Sequence, residues 1–333
     1  MAVSATTHPT LVDLVKRSTP EGKIASVAEI LNETNEILDH MVWVEGNLPT
    51  GNVSTTRVGL PAPTWRKMYG GVQPTKSLTA QITDSCGMLE AYAEVDKALA
   101  DLNGNTNEFR LTEDTAHIEG MSQEMAETLF YGNEASEPEA FTGLGPRFNA
   151  LTGAGNSDNV IAGGGSGTDN ASIWLSVWGP STGFGIIPKG SNGGLQMQDK
   201  GQVTLENADG SNGRMEAYRT HYRWDAGLCI RDWRYFVRIC NIDKSALTVD
   251  AATGANLPDL MFQALERIPN LSIGRAAFYM NRTVLTKLRQ QHTNGVANST
   301  LTMDNLGGTM VTAFHGVPIS RTDALASDEA LVS

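Results

Sequence analysis

The chain has 333 residues, 40% hydrophobic and 19% charged, with a formal charge of −12, too apolar for a disordered chain and too polar for a membrane protein. Its longest unbroken apolar run, Ala276–Met280, is far short of a transmembrane helix, and residues 1–20 hold no apolar stretch of the secretory kind. Net acidity disfavours general nucleic-acid binding, because counterion release rewards basic surfaces, although an acidic wall can surround DNA without adhering to it.

Residues 1–22 hold Pro9 and Pro20 and read as an extended arm. From Ile24 to Met41 the apolar positions Ile24, Val27, Ile30, Leu31, Ile37 and Leu38 mostly keep helical spacing. Residues 46–85 read as a long hairpin. Val53, Thr55 and Arg57 alternate weakly, Leu60-Pro61-Ala62-Pro63 breaks the strand, Gly70-Gly71 punctuates the far end, and Gln73 to Thr83 returns as a strand. Few large apolar residues lie here, so the hairpin needs a surface to lie on. Residues 87–102 are expected to be helical, because Leu89, Tyr92, Val95, Leu99 and Leu102 step by three or four. A longer helix is expected from Thr112, as N-cap, through Ile118, Met121, Met125 and Leu129 to Gly132.

Eighteen of the 34 glycines fall between Gly132 and Gly213, a density that implies loops and strand ends. Short strands are expected at Ser172–Trp178 and Gly185–Pro188, with turns at Pro188-Lys189-Gly190 and Asp209-Gly210. Long β segments follow over 214–242, where alternation from Cys229 to Asn241 sets Arg231, Trp233, Tyr235, Val237 and Ile239 on one face. A helix begins near Pro258, a strand spans Arg275–Met280, Asn281 caps a further helix, and a strand pair turns at His315-Gly316.

Charge is segregated. Residues 42–85 carry Arg57, Arg66, Lys67 and Lys76 against Glu45 and Asp84, a net of +2, whereas residues 86–140 carry thirteen acids against Lys97 and Arg110, a net of −11. The acidic segment is either a solvated helical face or a docking surface for something basic, such as segment 42–85 of another copy.

Catalytic signatures are missing. No two of the six histidines are three or four apart, and none stands beside a cysteine pair, so no zinc spacing exists. Gly163-Gly164-Gly165-Ser166-Gly167 lacks the Gly-Lys-Ser/Thr ending of a phosphate loop. Asn207 to Gly213 resembles a calcium loop without its closing glutamate. The three cysteines, Cys86, Cys229 and Cys240, have neither metal nor redox spacing and suit a reducing interior. What remains is an arm, a hairpin and an acidic segment that suit a protein completed by its neighbours.

The order of these features resembles the major capsid proteins of tailed bacteriophages with the HK97-type fold, podophage-like members in particular. The resemblance rests on Glu127-Thr128-Leu129-Phe130-Tyr131-Gly132-Asn133 with Phe141-Thr142-Gly143-Leu144, on Gly227-Leu228 through Arg231-Asp232, Val237-Arg238-Ile239 and Asn241-Ile242-Asp243, on Phe278-Tyr279-Met280-Asn281-Arg282, and on Phe314 to Ile319. It implies an α+β fold. Residues 1–48 would be an N-terminal arm and 49–86 the extended loop. Residues 87–139 and about 214–245 would form a peripheral domain with its spine helix at 112–131, residues 140–213 and 246–314 an axial domain, and 315–333 a C-terminal strand and tail.

The function implied is a structural, non-enzymatic major capsid protein that self-assembles, through hexameric and pentameric capsomers, into the icosahedral shell enclosing the double-stranded DNA of a tailed phage. Its place is the virion capsid, after synthesis in the host bacterial cytoplasm. It would enclose DNA without sequence-specific binding, need no cofactor, metal or membrane, and work with a portal protein, a separate scaffolding protein (the arm is too short to contain one) and a decoration or cement protein. Subunit contacts are expected at Arg57, Trp65, Arg66, Lys67, Tyr69 and Lys76 of the loop and at Glu113, Asp114, Glu119, Glu124 and Glu127 of the acidic segment. Two alternatives stand beside this: an encapsulin-like compartment shell, and a β-rich carbohydrate-binding protein or hydrolase built on Trp174, Trp178 and Trp224.

Overall fold

The computed structural model describes residues 8–10, 13, 14, 33, 35–153, 155–206, 213–249, 254–295, 301–306 and 309–333. Most of the helix expected over 24–41 and the turn at Asp209-Gly210 lie outside them. In chain order the elements are α1 (Ile37–His40), β1 (Trp43–Glu45), β2 (Gly51–Gly59), β3 (Leu78–Asp96), α2 (Lys97–Ala100), α3 (Thr106–Tyr131), α4 (Leu144–Arg147), β4 (Val160–Ala162), β5 (Asn170–Trp178), β6 (Gly183–Ile187), β7 (Gln196–Glu206) and β8 (Arg214–Ile230). There follow β9 (Phe236–Asp243), α5 (Leu257–Arg267), β10 (Arg275–Met280), α6 (Arg282–Gly295), β11 (Leu301–Leu306), β12 (Thr309–Phe314) and β13 (Val317–Arg321). One sheet has the order β1-β6-β8-β3-β2 with β7 paired to β8, and the other the order β11-β12-β13-β10-β5-β9-β4.

Contacts divide the chain into two units, Met1–Glu33, Met88–Met125 and Asn192–Asp225 in the first, and Thr34–Gly87, Ala126–Ser191 and Ala226–Ser333 in the second. The border drawn from sequence at 213/214 falls between two paired strands, since β7 and β8 form an antiparallel ladder from Gln196↔Arg223 to Glu206↔Arg214, and β7 and β8 up to Asp225 belong to the first unit.

In the first unit, the helix expected over 87–102 is instead the far half of β3, followed by the four-residue α2. The alternation is real but was hidden by small residues: Leu89, Ala91 and Ala93 pack with Met121, Tyr222, Leu195 and Trp224, while Met88, Glu90 and Tyr92 are exposed. Asp96, whose side chain accepts from Ala98 N, ends the strand and starts α2. Helix α3 begins at Thr106, six residues ahead of the expected cap. Thr112 is interior, its hydroxyl donating to Glu108 O at 3.0 Å. The first turn is anchored by Phe109, buried with Leu14, Val95 and Ala100. Met121 and Met125 are buried as expected, whereas Ile118 is exposed.

In the second unit, every residue of β5 is buried, because the strand lies between β10 and β9 within its sheet and its Ile173, Trp174, Leu175 and Val177 are apolar on both faces. Cys229–Asn241 is not one strand. β8 stops at Ile230, Trp233–Tyr235 is a 3-10 turn in which Asp232 accepts from Arg234 N, and β9 starts at Phe236. Arg231 and Trp233 therefore do not share a strand face with Val237. Helix α5 has Asn256 as its cap and Pro258 in its first turn, and buries Leu257, Leu260, Met261 and Ala264. Asn281 Oδ1 accepts from Thr283 N at 3.1 Å at the start of α6. His315 (φ 50°) and Gly316 (φ 77°) supply the two left-handed positions of the β12–β13 turn. The run Gly163–Gly167 is a loop laid against β9, Gly163 N and Gly165 N donating to Cys240 O and Asn241 O at 2.7 and 2.8 Å.

Candidate assembly surfaces

The hairpin expected over 46–85 forms within the second unit, β2 pairing β3 from Gly51↔Ser85 to Arg57↔Thr79, with a bulge before Gly59. Its base is polar yet buried. Asn52, Ser54 and Asp84 are all sequestered, and Asp84 is ion-paired at 2.9 Å with Arg147. Arg147 also donates to Thr142 O and Leu228 O, each at 3.2 Å. One side chain thus fixes the hairpin base to three neighbouring segments. Asn52 Nδ2 donates to Cys229 Sγ at 3.5 Å. Asn47 closes the mouth by bonding both N–H and C=O of Val53 at 2.8 Å.

Residues 60–77, with Pro61, Pro63 and Pro74, have no regular structure, and the returning strand expected from Gln73 begins only at Leu78. The tip is nonetheless shaped. Gly70 N donates to Lys67 O at 3.0 Å, Arg66 Nε to Gly70 O at 2.7 Å, and Tyr69 takes the left-handed conformation at φ 60°. Trp65, Met68 and Tyr69 are 103%, 88% and 99% exposed. Arg57, Lys67 and Lys76 are exposed with them. Among the described residues no ion pair joins Arg57, Arg66, Lys67 or Lys76 to a carboxylate.

The acidic segment is less uniform than its composition implied. In the first unit its strand part is largely neutralised by β8. Glu94 pairs with Arg219 at 2.5 Å and with His8 at 3.2 Å. Glu90 meets His221 at 3.3 Å and Arg223 at 3.7 Å. Arg110 pairs with Asp199 at 2.7 Å, and this bond holds the Asp199 carboxyl below its ordinary range. Glu113, Asp114 and Glu119 on α3 are half-buried, Glu119 accepting from Glu33 N and Gln123 Nε2. Glu124 is exposed. In the second unit Glu127 is exposed at the far end of α3, followed by Glu134, Glu137 and Glu139, also exposed, with no base between 126 and 140.

The sequence reading missed a buried ion pair of the second unit. Arg238 on β9 bonds Glu329 at 2.8 Å, Ser172 Oγ at 3.2 Å and Phe148 O at 3.0 Å, and lies over the Trp174 ring. Glu329 also accepts from Tyr131 OH at 2.5 Å and from Ser172. Burial first, then the Glu329 charge, raises the Tyr131 pKa well above its usual value. Val332 is held to Asn241 by two bonds, of 2.8 and 2.9 Å. An arginine inside the apolar run Phe236–Ile242 was the available signal, since a buried charge requires a partner. Its partner is 91 residues away.

The three cysteines are free. Cys86 lies within β3, not ahead of a helix. Burial, reinforced for Cys229 by the Asp84 charge, pushes both Cys229 and Cys240 up to about 11. Both stay protonated at pH 8, where the thiolate is the reactive form. Iodoacetamide at pH 8 is expected to leave them unlabelled in the folded chain and to label them in guanidinium. Mass spectrometry of the digests checks this, and prompt native labelling of either would refute it.

Trp174 and Trp178 are buried in the second unit, Trp178 Nε1 donating to Tyr279 OH at 2.9 Å, while Trp224 packs in a core cluster of the first. These rings are core, so the aromatic platform expected of a sugar-binding protein is not formed. The conspicuous exposed feature is a projecting apolar and basic hairpin tip. Fold and surface define a shell subunit of the HK97 type. The sequence pattern of the major capsid protein GP7 family matches residues 19–333, and the chain belongs to that family: it is the major capsid protein of a tailed phage, a structural subunit of an icosahedral shell. A chain in the cryo-EM structure of bacteriophage Epsilon15 is 37% identical over 100% of both chains, with a TM-score of 0.78. The capsid of bacteriophage JBD30 is 11% identical, covering 89% of this chain and 92% of the other, at a TM-score of 0.48. The SrpI encapsulin complex of Synechococcus elongatus PCC 7942 is 9% identical over 66% and 92%, at 0.44. No curated protein matches the chain.

Proposed function

We propose that copies of this chain form six-fold and five-fold capsomers in which the hairpin of each copy, residues 49–86, lies across acidic surface of its neighbour. The observation that carries this reading is the tip itself. Three large side chains, Trp65, Met68 and Tyr69, are almost wholly exposed together, among four bases and no acid over residues 57–76. A clustered apolar surface of this kind marks an interaction site, and its charge selects an acidic partner. In this reading the first unit, with α3 and the β7–β8–β3 strands, contributes the body of the peripheral domain, and the sheet centred on β5 belongs to the axial domain. The role is structural and involves no catalytic step. The protein acts in the virion shell after synthesis in the host cytoplasm, and a portal, a separate scaffolding protein and a decoration protein complete the assembly. A charge of −12 suits a wall that encloses DNA without sequence-specific binding.

Size-exclusion chromatography with negative-stain electron microscopy of the purified full chain tests the reading. Closed shells, tubes or rings are expected. A chain that remains a monodisperse monomer across salt concentrations and with a crowding agent would overturn it.

A further inference from the structure

An open cleft of about 450 Å³ lies in the second unit between the end of α3, the α4 segment and the C-terminal residues 326–332, lined by Tyr131, Pro146, Asn149, Ala330 and Leu331 among others. Its floor holds Arg238 and Glu329, whose polar atoms are already engaged with each other, with Ser172, Phe148 O and Tyr131 OH. The floor therefore offers no uncommitted charge, and the cleft suits a mainly apolar body with charge only at its Glu127 side. Its volume is near the low end of the roughly 300–1,000 Å³ typical of ligand pockets, room for one large aromatic side chain with its flanks.

The surroundings are acidic. Glu127 lines the cleft. Asn133, another lining residue, anchors the turn that carries Glu134, Glu137 and Glu139, its carbonyl accepting from Ser136 N and Glu137 N at 3.0 and 2.9 Å. Asp328 is exposed in the C-terminal segment. Residues 126–140 thus carry four acids and no base, against four bases and no acid over 57–76. Trp65 is fully exposed in the isolated chain, so it does not fill the cleft of its own copy.

We propose that this cleft receives the Trp65 side chain from the hairpin of a second copy, with Arg66 and Lys67 meeting Glu127 and the acidic turn. The inference rests on the hairpin-on-neighbour reading and narrows it to one receptor surface. It places the contact at Glu127 and beyond, and leaves the half-buried Glu113, Asp114 and Glu119 outside it.

Two full-length variants test it. In the first, Trp65→p-benzoylphenylalanine, particles are irradiated and the adducts mapped by mass spectrometry. Adducts between copies, within residues 127–149 or 326–333, are expected. Adducts confined to another surface, to the arm of a neighbour or to a scaffolding protein would overturn the proposal while leaving the hairpin reading intact. In the second, Ala330→Trp fills the cleft from its rim. The concentration needed for assembly is expected to rise tenfold or more, with the circular dichroism and melting of the unassembled chain unchanged. Assembly at the wild-type concentration would overturn the proposal even if the first variant yields no particles. The broader reading fails separately, if the charge-reversed hairpin and Trp65→Ala both assemble normally at low salt.

Discussion

Glu329→Ala is expected to destabilise the second unit by roughly 3–5 kcal/mol, the range found when one partner of a buried ion pair is removed. Arg238 and Glu329 are both almost fully buried. The substitution leaves the guanidinium without its counter-charge and also strands Tyr131 OH and Ser172 Oγ, which share the carboxylate. The C-terminal segment loses its main polar anchor, although the Asn241–Val332 bonds and the Glu329 N to Asn170 O bond of 2.9 Å can persist. Urea denaturation of the unassembled chain, followed by circular dichroism, reads the change as a lowered midpoint at constant slope. The double variant Arg238→Met with Glu329→Leu separates a buried charge left unpaired from a merely lost contact. Removing both charges is often close to neutral, so the double variant should recover most of the lost stability. A loss below about 1 kcal/mol for Glu329→Ala would show that the pair is solvated in practice.

How much of this was legible in the sequence depended on how local the cause is. The hairpin was readable because Pro61 and Pro63 forbid a ladder wherever they stand, and the turns at Gly190 and at His315-Gly316 were readable because left-handed positions select glycine. Helices α5 and α6 were marked at their starts by Pro258 and Asn281. The far half of β3 was not readable from its large residues. Leu89, Tyr92 and Val95 happen to step by three, and the inward positions between them are filled by Ala91 and Ala93, too small to announce an alternating face. The start of α3 was displaced for a related reason: Thr112 has the chemistry of a cap, but Phe109 needs to be inside the helix to reach the cluster of Leu14, Val95 and Ala100. Long-range pairing was out of reach. Nothing near Arg238 names Glu329, nothing near Glu94 names Arg219, and the net of −11 over 86–140 could not reveal that β8 already neutralises its strand part. What survives of the charge argument is the exposed remainder at Glu127 and the turn that follows.

That remainder decides the expected outcome of reversing the hairpin charges. Arg66→Glu with Lys67→Glu should leave the chain folded, because Lys67 is exposed, Arg66 bonds only within its own turn, and neither is ion-paired in the subunit. Between copies, each reversal replaces an attraction by a repulsion. Exposed pairs contribute about 0.2–1 kcal/mol each, so two reversals shift one contact by about 1–3 kcal/mol, and a factor of ten in association corresponds to about 1.4 kcal/mol. A closed shell repeats the contact at every subunit, so a small change per contact becomes a large change in assembly. Assembly followed by light scattering and electron microscopy at low salt should therefore fail at the wild-type working concentration. It should recover in part as salt is raised, because repulsion between exposed charges is screened over about 8–10 Å at 0.1–0.15 M. Trp65→Ala provides the contrast. It removes roughly 1.5–3 kcal/mol of apolar burial per contact but no charge, so its defect should not be relieved by salt. If the charge-reversed chain assembles normally at low salt while Trp65→Ala does not, the contact is apolar and the segregation of charge along the chain does not guide it. If both assemble normally, the hairpin tip does not bind a neighbour at all.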